Sequence, residues 1–269
     1  MMRSTFLLSL FLLSSVSLQQ ALAGDGEPFY AGDWSLTIGG AVAHGPEFEG
    51  AKGRKMLFEP IISLSRQGQT TRFSSRNDSA GFGLFESENV KAGIAGKLIT
   101  GRRADDADDL KGLHDVEIGV EAGAFAEVYP TDYLRARAEV RQGIRSHDGQ
   151  VVDLAVDAFA DITPDVRISA GPRATWASKG YGKAYYGVNA AESAASGLDP
   201  YAPGSGWQSV GAGGAITWKA TENVDTSLFA EYRRMVGVAA DSSLVRQKGS
   251  EDQVTIGVSA TYRFDFTLR

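Results

Sequence analysis

Cysteine is absent from the 269 residues, and beyond the N-terminus no hydrophobic run is long enough for a membrane-spanning helix. The first absence excludes disulfide stapling, so stability must come from a backbone ladder and from a packed core or lipid contact. Basic side chains are in deficit, 27 Lys and Arg against 33 Asp and Glu. A nucleic-acid surface needs a basic stripe to displace counterions from phosphate, so that class of partner is excluded. Glycine is plentiful instead. Its 32 residues follow no collagen-like period and point to closely packed or strongly curved strands.

The first residues differ from the rest. Arg3 gives a positive start, Phe6 to Val16 form a short apolar run, and Ala21-Leu22-Ala23 supply the small residues that signal peptidase reads. These features predict a cleaved secretory signal over 1–23, with a short anchor helix as the alternative, and one β-barrel domain over 24–269.

From residue 34 onward the chain shows period 2, clearest between Val116 and Trp176. Segments 116–129, 133–145, 151–161 and 166–176 carry no charge at even positions. Their odd positions hold Glu117, Glu121, Glu127, Arg135, Arg137, Glu139, Arg141, Arg145, Asp153, Asp157, Asp161, Arg167 and Arg173. Successive side chains of a strand point to opposite faces, so one face is apolar and the other ionic. A turn at Pro130-Thr131-Asp132 sets Glu127 opposite Arg135, Glu121 opposite Arg141 and Glu117 opposite Arg145, pairs worth roughly 0.2–1 kcal/mol each. The next hairpin places Arg145, Arg141 and Arg137 against Asp153, Asp157 and Asp161, with a two-residue slip equally open.

Twelve strands are predicted, near 34–43, 55–66, 69–75, 80–86, 90–100, 116–129, 133–145, 151–161, 166–177, 207–219, 224–236 and 252–266, with ten as the alternative count. Connections sort by length. Segments 44–54, 101–115, 178–206 and 237–251 are long and 76–79 and 146–150 shorter, all at one end; tight turns at 67–68, 86–89, 130–132, 162–165 and 220–223 take the other. Such sorting describes an all-β, antiparallel up-and-down transmembrane barrel in the outer membrane of a Gram-negative-type envelope, touching lipid and lipopolysaccharide. Closure removes the sheet edges that lipid cannot satisfy. A soluble β-sandwich shares the alternation but not the sorted loops. Trp34, Trp176, Trp218, Tyr232, Tyr262, Phe264 and Phe266 fall on the lipid-facing parity near strand ends, where aromatic girdles stand.

Chemistry is sparse. His44, His114 and His147 are the only histidines, and all fall in predicted external loops, so a wall-borne Ser-His-carboxylate hydrolase lacks its base. Asp105, Asp106, Asp108 and Asp109 read as a solvated acidic loop or, alternatively, as a Ca²⁺ site near lipopolysaccharide phosphates, although the spacing matches no ligand loop. There is no phosphate loop, dinucleotide fingerprint or zinc spacing. No cofactor and no catalytic residue is expected. The lumen charges are either a solute-selecting ring or pairs that fill and stiffen a narrow barrel, and their near balance favours filling.

Several stretches resemble the MltA-interacting protein (MipA/OmpV) family. They are Gly45-Pro46-Glu47-Phe48-Glu49-Gly50; Gly101-Arg102 with Leu110-Lys111-Gly112-Leu113; Tyr185-Tyr186-Gly187-Val188; Ser196-Gly197-Leu198 with Tyr201; and Tyr262-Arg263-Phe264. The resemblance implies an outer-membrane barrel without catalytic residues, in some members a scaffold joining a lytic murein transglycosylase to a murein synthase. Other members are described as adhesins or porin-like proteins. The expected function is therefore a scaffold for murein-remodelling enzymes. The alternative is a narrow solute channel or an adhesin using loop 178–206, with Tyr181, Tyr185, Tyr186 and Trp207 as contacts.

Overall fold

The computed structural model describes residues 31–67 and 72–269; the expected signal segment lies outside them. Among the described residues eleven strands form one curled sheet: β1 (Gly32–Pro46), β2 (Arg54–Arg66), β3 (Ala80–Glu86), β4 (Val90–Ile99), β5 (Gly119–Thr131), β6 (Leu134–Ile144), β7 (Gln150–Thr163), β8 (Val166–Ala177), β9 (Gly206–Lys219), β10 (Val224–Met235) and β11 (Asp252–Leu268). Neighbours pair antiparallel in the order β2-β1-β11-β10-β9-β8-β7-β6-β5-β4-β3. Gly32 faces Leu268, so the first and last strands meet at the end that carries the tight turns. The other end carries the longer connections, 47–53, 100–118, 145–149, 178–205 and 236–251.

Parity organises the wall. Even-numbered side chains face outward in most strands, leaving Ile38, Phe58, Ile94, Val140, Ile216 and Leu228 exposed in an apolar belt. The odd positions turn inward. Glycine lets this wall bend: at Gly123 and Gly171 an added side chain would stand 1.9 and 1.7 Å from the carbonyl oxygens of Val140 and Val156.

Four expectations need correction. Among the described residues the wall has eleven strands rather than twelve or ten, because residues 72–75 of the segment expected as a strand at 69–75 are not in the sheet. Residues 69–71 lie outside the described residues, and 72–79 run through the interior as irregular chain entering β3. That segment, Arg72-Phe73-Ser74-Ser75-Arg76-Asn77-Asp78-Ser79, is polar nearly throughout and finds its partners in the charged lumen.

The register of the β5–β6 hairpin is the second. Glu127 faces Arg137 and Gly123 faces Arg141, two positions from the expected pairing. The ladder shifts between Val128 and Thr131, where β5 carries one extra residue and Pro130 has no N–H to contribute.

In the third, β6 pairs with β7 through Arg135 opposite Asp157 and Glu139 opposite Asp153, six positions from the expected register. The reversal is closed by Gly143 N–H on the Gly149 carbonyl (2.8 Å), and Arg145 takes a positive φ of 73°. Arg145 thereby leaves the ladder and meets Glu117 (3.6 Å) at the exposed rim. Only Asp161 and Arg167 pair directly across β7 and β8.

Trp34 is the fourth. It is buried rather than lipid-facing, because Phe82 of β3 stacks on it at 5.8 Å and the Arg66 guanidinium lies 5.0 Å from its ring centre. Trp218, Tyr232, Tyr262 and Phe264 are exposed on the outer face as expected.

Candidate functional site

The odd-numbered charges of β5 to β8 converge inside the curl. Glu121, Glu127, Arg135, Arg137, Glu139, Arg141 and Asp157 are all at most 8% exposed. Arg141 donates to Glu121 (2.7 Å), Asp153 (2.7 Å) and Glu139. Arg137 bridges Glu127 (3.0 Å) and Glu139 (2.8 Å), while Arg135 joins Asp157 (2.7 Å) and Glu127 (3.3 Å). Arg173 also bonds Asp157, and Thr175 donates to Asp153 (2.6 Å). The side-chain contacts are thus largely diagonal. Glu117, Arg145, Asp161 and Arg167 lie outside the buried group, in pairs open to solvent or the rim. Charge-assisted bonds to every member are what makes such burial tolerable.

The interior segment 72–79 adds partners that sequence reasoning missed. Asp78 accepts twice from Arg135 (2.7 and 3.0 Å), Asn77 donates to Glu231 of β10 (2.6 Å), and Arg76 pairs with Glu59 of β2. Phe73 stacks on Phe159 at 4.7 Å, with the Arg135 guanidinium 4.7 Å from its ring centre. The segment therefore straps β2, β6, β7 and β10 together across the lumen.

Above the ladder sits a folded cap. Helix α1 (Lys179–Tyr186) and helix α2 (Ala190–Ser196) occupy the long connection after β8, and α3 (Gly237–Ala240) and α4 (Ser243–Gln247) the one after β10. Asn189 caps α2, accepting from the N–H of Ala191 (2.9 Å) and Glu192 (3.0 Å), and Gly197 ends it at φ 75°. Phe48, Leu110, Leu113, Val188, Leu198 and Leu244 bury a small apolar core between four connections. Burial raises the Glu192 carboxyl, but hydrogen bonds from Asn189 and His114 outweigh it and hold the group below its ordinary value.

The tyrosines expected as exposed contacts lie inside this cap. Tyr181 and Tyr186 are buried, and their hydroxyls donate to Glu49 (2.6 and 3.1 Å), which also accepts from Arg233 (3.1 Å). Gln208 donates to Tyr186 (2.9 Å), and Tyr185 stacks on Tyr181 at 4.4 Å. Arg102 is buried and donates to the Tyr185 carbonyl (2.8 Å). Burial, reinforced by Glu49, pushes all three phenols well above their ordinary 10.0. Trp207 is not in the cap or a loop. It belongs to β9, faces outward and pairs with Trp176 across to β8.

One histidine, His44, also differs from expectation, while His147 lies in the expected connection. His44 belongs to β1 and accepts from Arg54 (3.2 Å). His147 starts in the 145–149 connection but its buried ring reaches the ladder, Nε2 standing 2.9 Å from Glu121. The Gly149 N–H donates to Nδ1 (3.2 Å), so Nε2 carries the proton that Glu121 accepts. The acidic connection is used locally: Asp106 accepts from the Arg103 N–H (2.7 Å) and Asp108 pairs with Lys111 (2.5 Å). Among the described residues no group of three or more metal-ligating side chains stands together.

The fold and site define a class: a curled antiparallel wall, apolar outside, whose interior is filled by paired charges and whose mouth is covered by folded loops. The family described as MltA-interacting protein MipA matches residues 38–264, and the chain belongs to that family. The resembling stretches found in the sequence supply Phe48 and Glu49, Arg102, Leu110 and Leu113, Tyr185 and Tyr186, and Leu198, which the structure gathers into the cap. No curated protein matches the chain. Among solved structures it is similar to the NanC porin (7% identity, 84% of this chain and 98% of that one, TM-score 0.44) and to the outer membrane channel DcaP of Acinetobacter baumannii (10%, 87% and 98%, 0.40). Neisserial surface protein A also aligns (9%, 87% and 99%, 0.29).

Proposed function

We propose that this protein is a non-enzymatic outer-membrane barrel that acts as a scaffold for murein-remodelling enzymes, a lytic transglycosylase and a murein synthase, through the end that carries its tight turns. The observation that carries the reading is the filled lumen. Seven buried charges, a crossing strap and a folded cap occupy the path that a permanently open channel keeps clear, which favours a function carried by the surfaces. The belt of exposed Ile, Leu, Phe and Val on the even parity supports lipid contact, since a soluble protein rarely leaves so much contiguous apolar surface in water. Membership of a family described by interaction with MltA supports the choice of partner. The tight turns offer little area against the ~1,200–2,000 Å² of stable interfaces, which fits a transient contact.

The test is a pull-down from detergent extracts of outer membranes with the tagged, full-length protein. Recovery of a murein transglycosylase or synthase, lost when the turns 132–133 and 164–165 are replaced, is the expected result. Recovery of neither enzyme, together with solute-dependent conductance of the unmodified protein, would replace the scaffold by a channel.

A further inference from the structure

The side chain of His147 is fully buried, and both of its ring nitrogens are committed. Nε2 donates to Glu121 of β5 (2.9 Å), and Nδ1 accepts from the Gly149 N–H (3.2 Å). The ring has no room to turn away: a Cβ added at Gly143 of β6 would stand 2.3 Å from Nδ1, and Tyr181 of α1 meets the ring edge-on at 4.9 Å. Histidine is the side chain that changes charge between about pH 5 and 8. Here the second proton must go to Nδ1, where a donor already points.

Among the described residues, the charged and titratable groups around the ring are spent elsewhere than on Nδ1. Glu121 turns one oxygen to Nε2 and the other to Arg141 of β6 (2.7 Å), and Lys97 of β4 stands opposite Glu121 in the ladder. Asp153 of β7 is held by Arg141 (2.7 Å) and Thr175 (2.6 Å). The Tyr181 hydroxyl goes to Glu49, and Tyr185, with the Arg102 guanidinium 5.8 Å from its ring centre, meets the imidazole edge-on at 6.0 Å. Asp148, on the connection itself, lies against Gly180.

Gly149 is interlocked with the start of α1. An added Cβ there would stand 2.1 Å from the Tyr181 nitrogen and 2.9 Å from the Ser178 hydroxyl oxygen. The neighbouring Gln150 N–H donates to the same hydroxyl (2.7 Å), and the Ser178 N–H donates to the Gln150 carbonyl (2.9 Å). A shift of Gly149 therefore moves the first turn of α1. His114, near the other end of that helix, is built in the opposite sense. Its Nδ1 faces Glu192 (2.6 Å) and its Nε2 faces the Ala184 carbonyl (3.0 Å), so a second proton finds an acceptor and breaks no bond.

We infer that His147 is an acid-sensitive latch between ladder and cap. Neutral, it holds the 145–149 connection and the first turn of α1 down on the ladder. With both ring nitrogens protonated it meets the Gly149 N–H donor to donor, and that turn is released from the mouth while His114 keeps the far end of the helix in place. The latch goes beyond the scaffold reading, and its readout does not depend on which enzymes bind.

The chain has no native cysteine, so spin labels at Lys179→Cys of α1 and Val140→Cys on the outer face of β6 report a single distance. In the full-length protein in detergent micelles, read by double electron–electron resonance, a longer distance is expected to gain about tenfold in population between about pH 7.5 and about pH 5. The response should persist when His44→Gln and His114→Gln leave His147 as the one remaining histidine. It should vanish in His147→Asn, which keeps an acceptor for Gly149, and in His147→Gln, which keeps a donor for Glu121; the heat-modifiable gel shift reports whether each is folded. A distance unchanged by acid, a response lost when His147 is the one histidine left, or a response retained when His147 is replaced overturns the latch. The first two outcomes decide the matter even if neither His147 variant assembles.

Discussion

Glu139 of β6 and Asp153 of β7 stand directly opposite each other in the ladder, and one guanidinium, that of Arg141, bonds both. Carboxylates facing across a strand pair repel. Arg141 reverses the sign of that contact and also takes Glu121 (2.7 Å), which His147 touches from the cap side. Ladder and cap are therefore joined through three side chains, Arg141, Glu121 and His147.

Arg141→Ala is expected to leave three carboxylates beside one another and to cost about 3–5 kcal/mol, the usual penalty for stranding buried charges. The unfolding midpoint in denaturant and the heat-modifiable gel shift measure it. Arg141→Lys restores charge without the forked geometry and should recover part of the loss. A midpoint unchanged by Arg141→Ala would mean that water reaches this face freely.

Glu49→Gln removes the negative charge and one of the two acceptor oxygens that serve Tyr181, Tyr186 and Arg233. The expected cost is about 1–3 kcal/mol, confined to the cap. Limited proteolysis should cut within 178–205 faster, while the far-ultraviolet signal of the sheet stays as it was. Equal cleavage rates would show that the apolar core of Leu110, Leu198 and Leu244 holds the cap without Glu49.

Alkali should test the buried phenols. Their folded pKa values lie above the unfolded 10.0, so the stability they confer is fully present below that pH and lost as pH rises through the folded values. Absorbance titration is expected to show Tyr181, Tyr185 and Tyr186 silent at pH 10–11, then ionising together as the cap opens. Three phenols titrating near 10 in the folded protein would contradict their burial.

Leu228→Arg places a charge on the exposed outer face of β10, between Ile216 and Val258. Near the middle of a bilayer the expected cost is about 2–4 kcal/mol. Folding yield into lipid vesicles should fall, and a yield equal to that of the unmodified chain would place this belt outside lipid.

The strand segments, the inward charges of β5 to β8 and the division into tight and long connections were legible because each depends on a short stretch of sequence and its period. The registers were not. A bulge at Tyr129-Pro130 and a left-handed Arg145 shift the pairing by whole residue pairs without altering which side chains point inward. Tyr181 and Tyr186 read as loop contacts because their partners, Glu49, Gln208 and Arg233, are remote in sequence. A signal for the cap did exist in the stretches around Glu49, Arg102 and Tyr185, but a resemblance in order along the chain says nothing of contact.

Sidedness was thus determined by the sequence alone: a period of two needs only each residue's own polarity, and it survives any slip that preserves parity. What the tertiary structure decided was which charge meets which, where residues 72–79 run, and what covers the mouth. Those outcomes depend on pairings between distant segments, and whole-residue slips of a ladder or a strand folded inward leave the local pattern of polarity unchanged. The choice among them is made by the sum of long-range contacts that only the folded chain assembles.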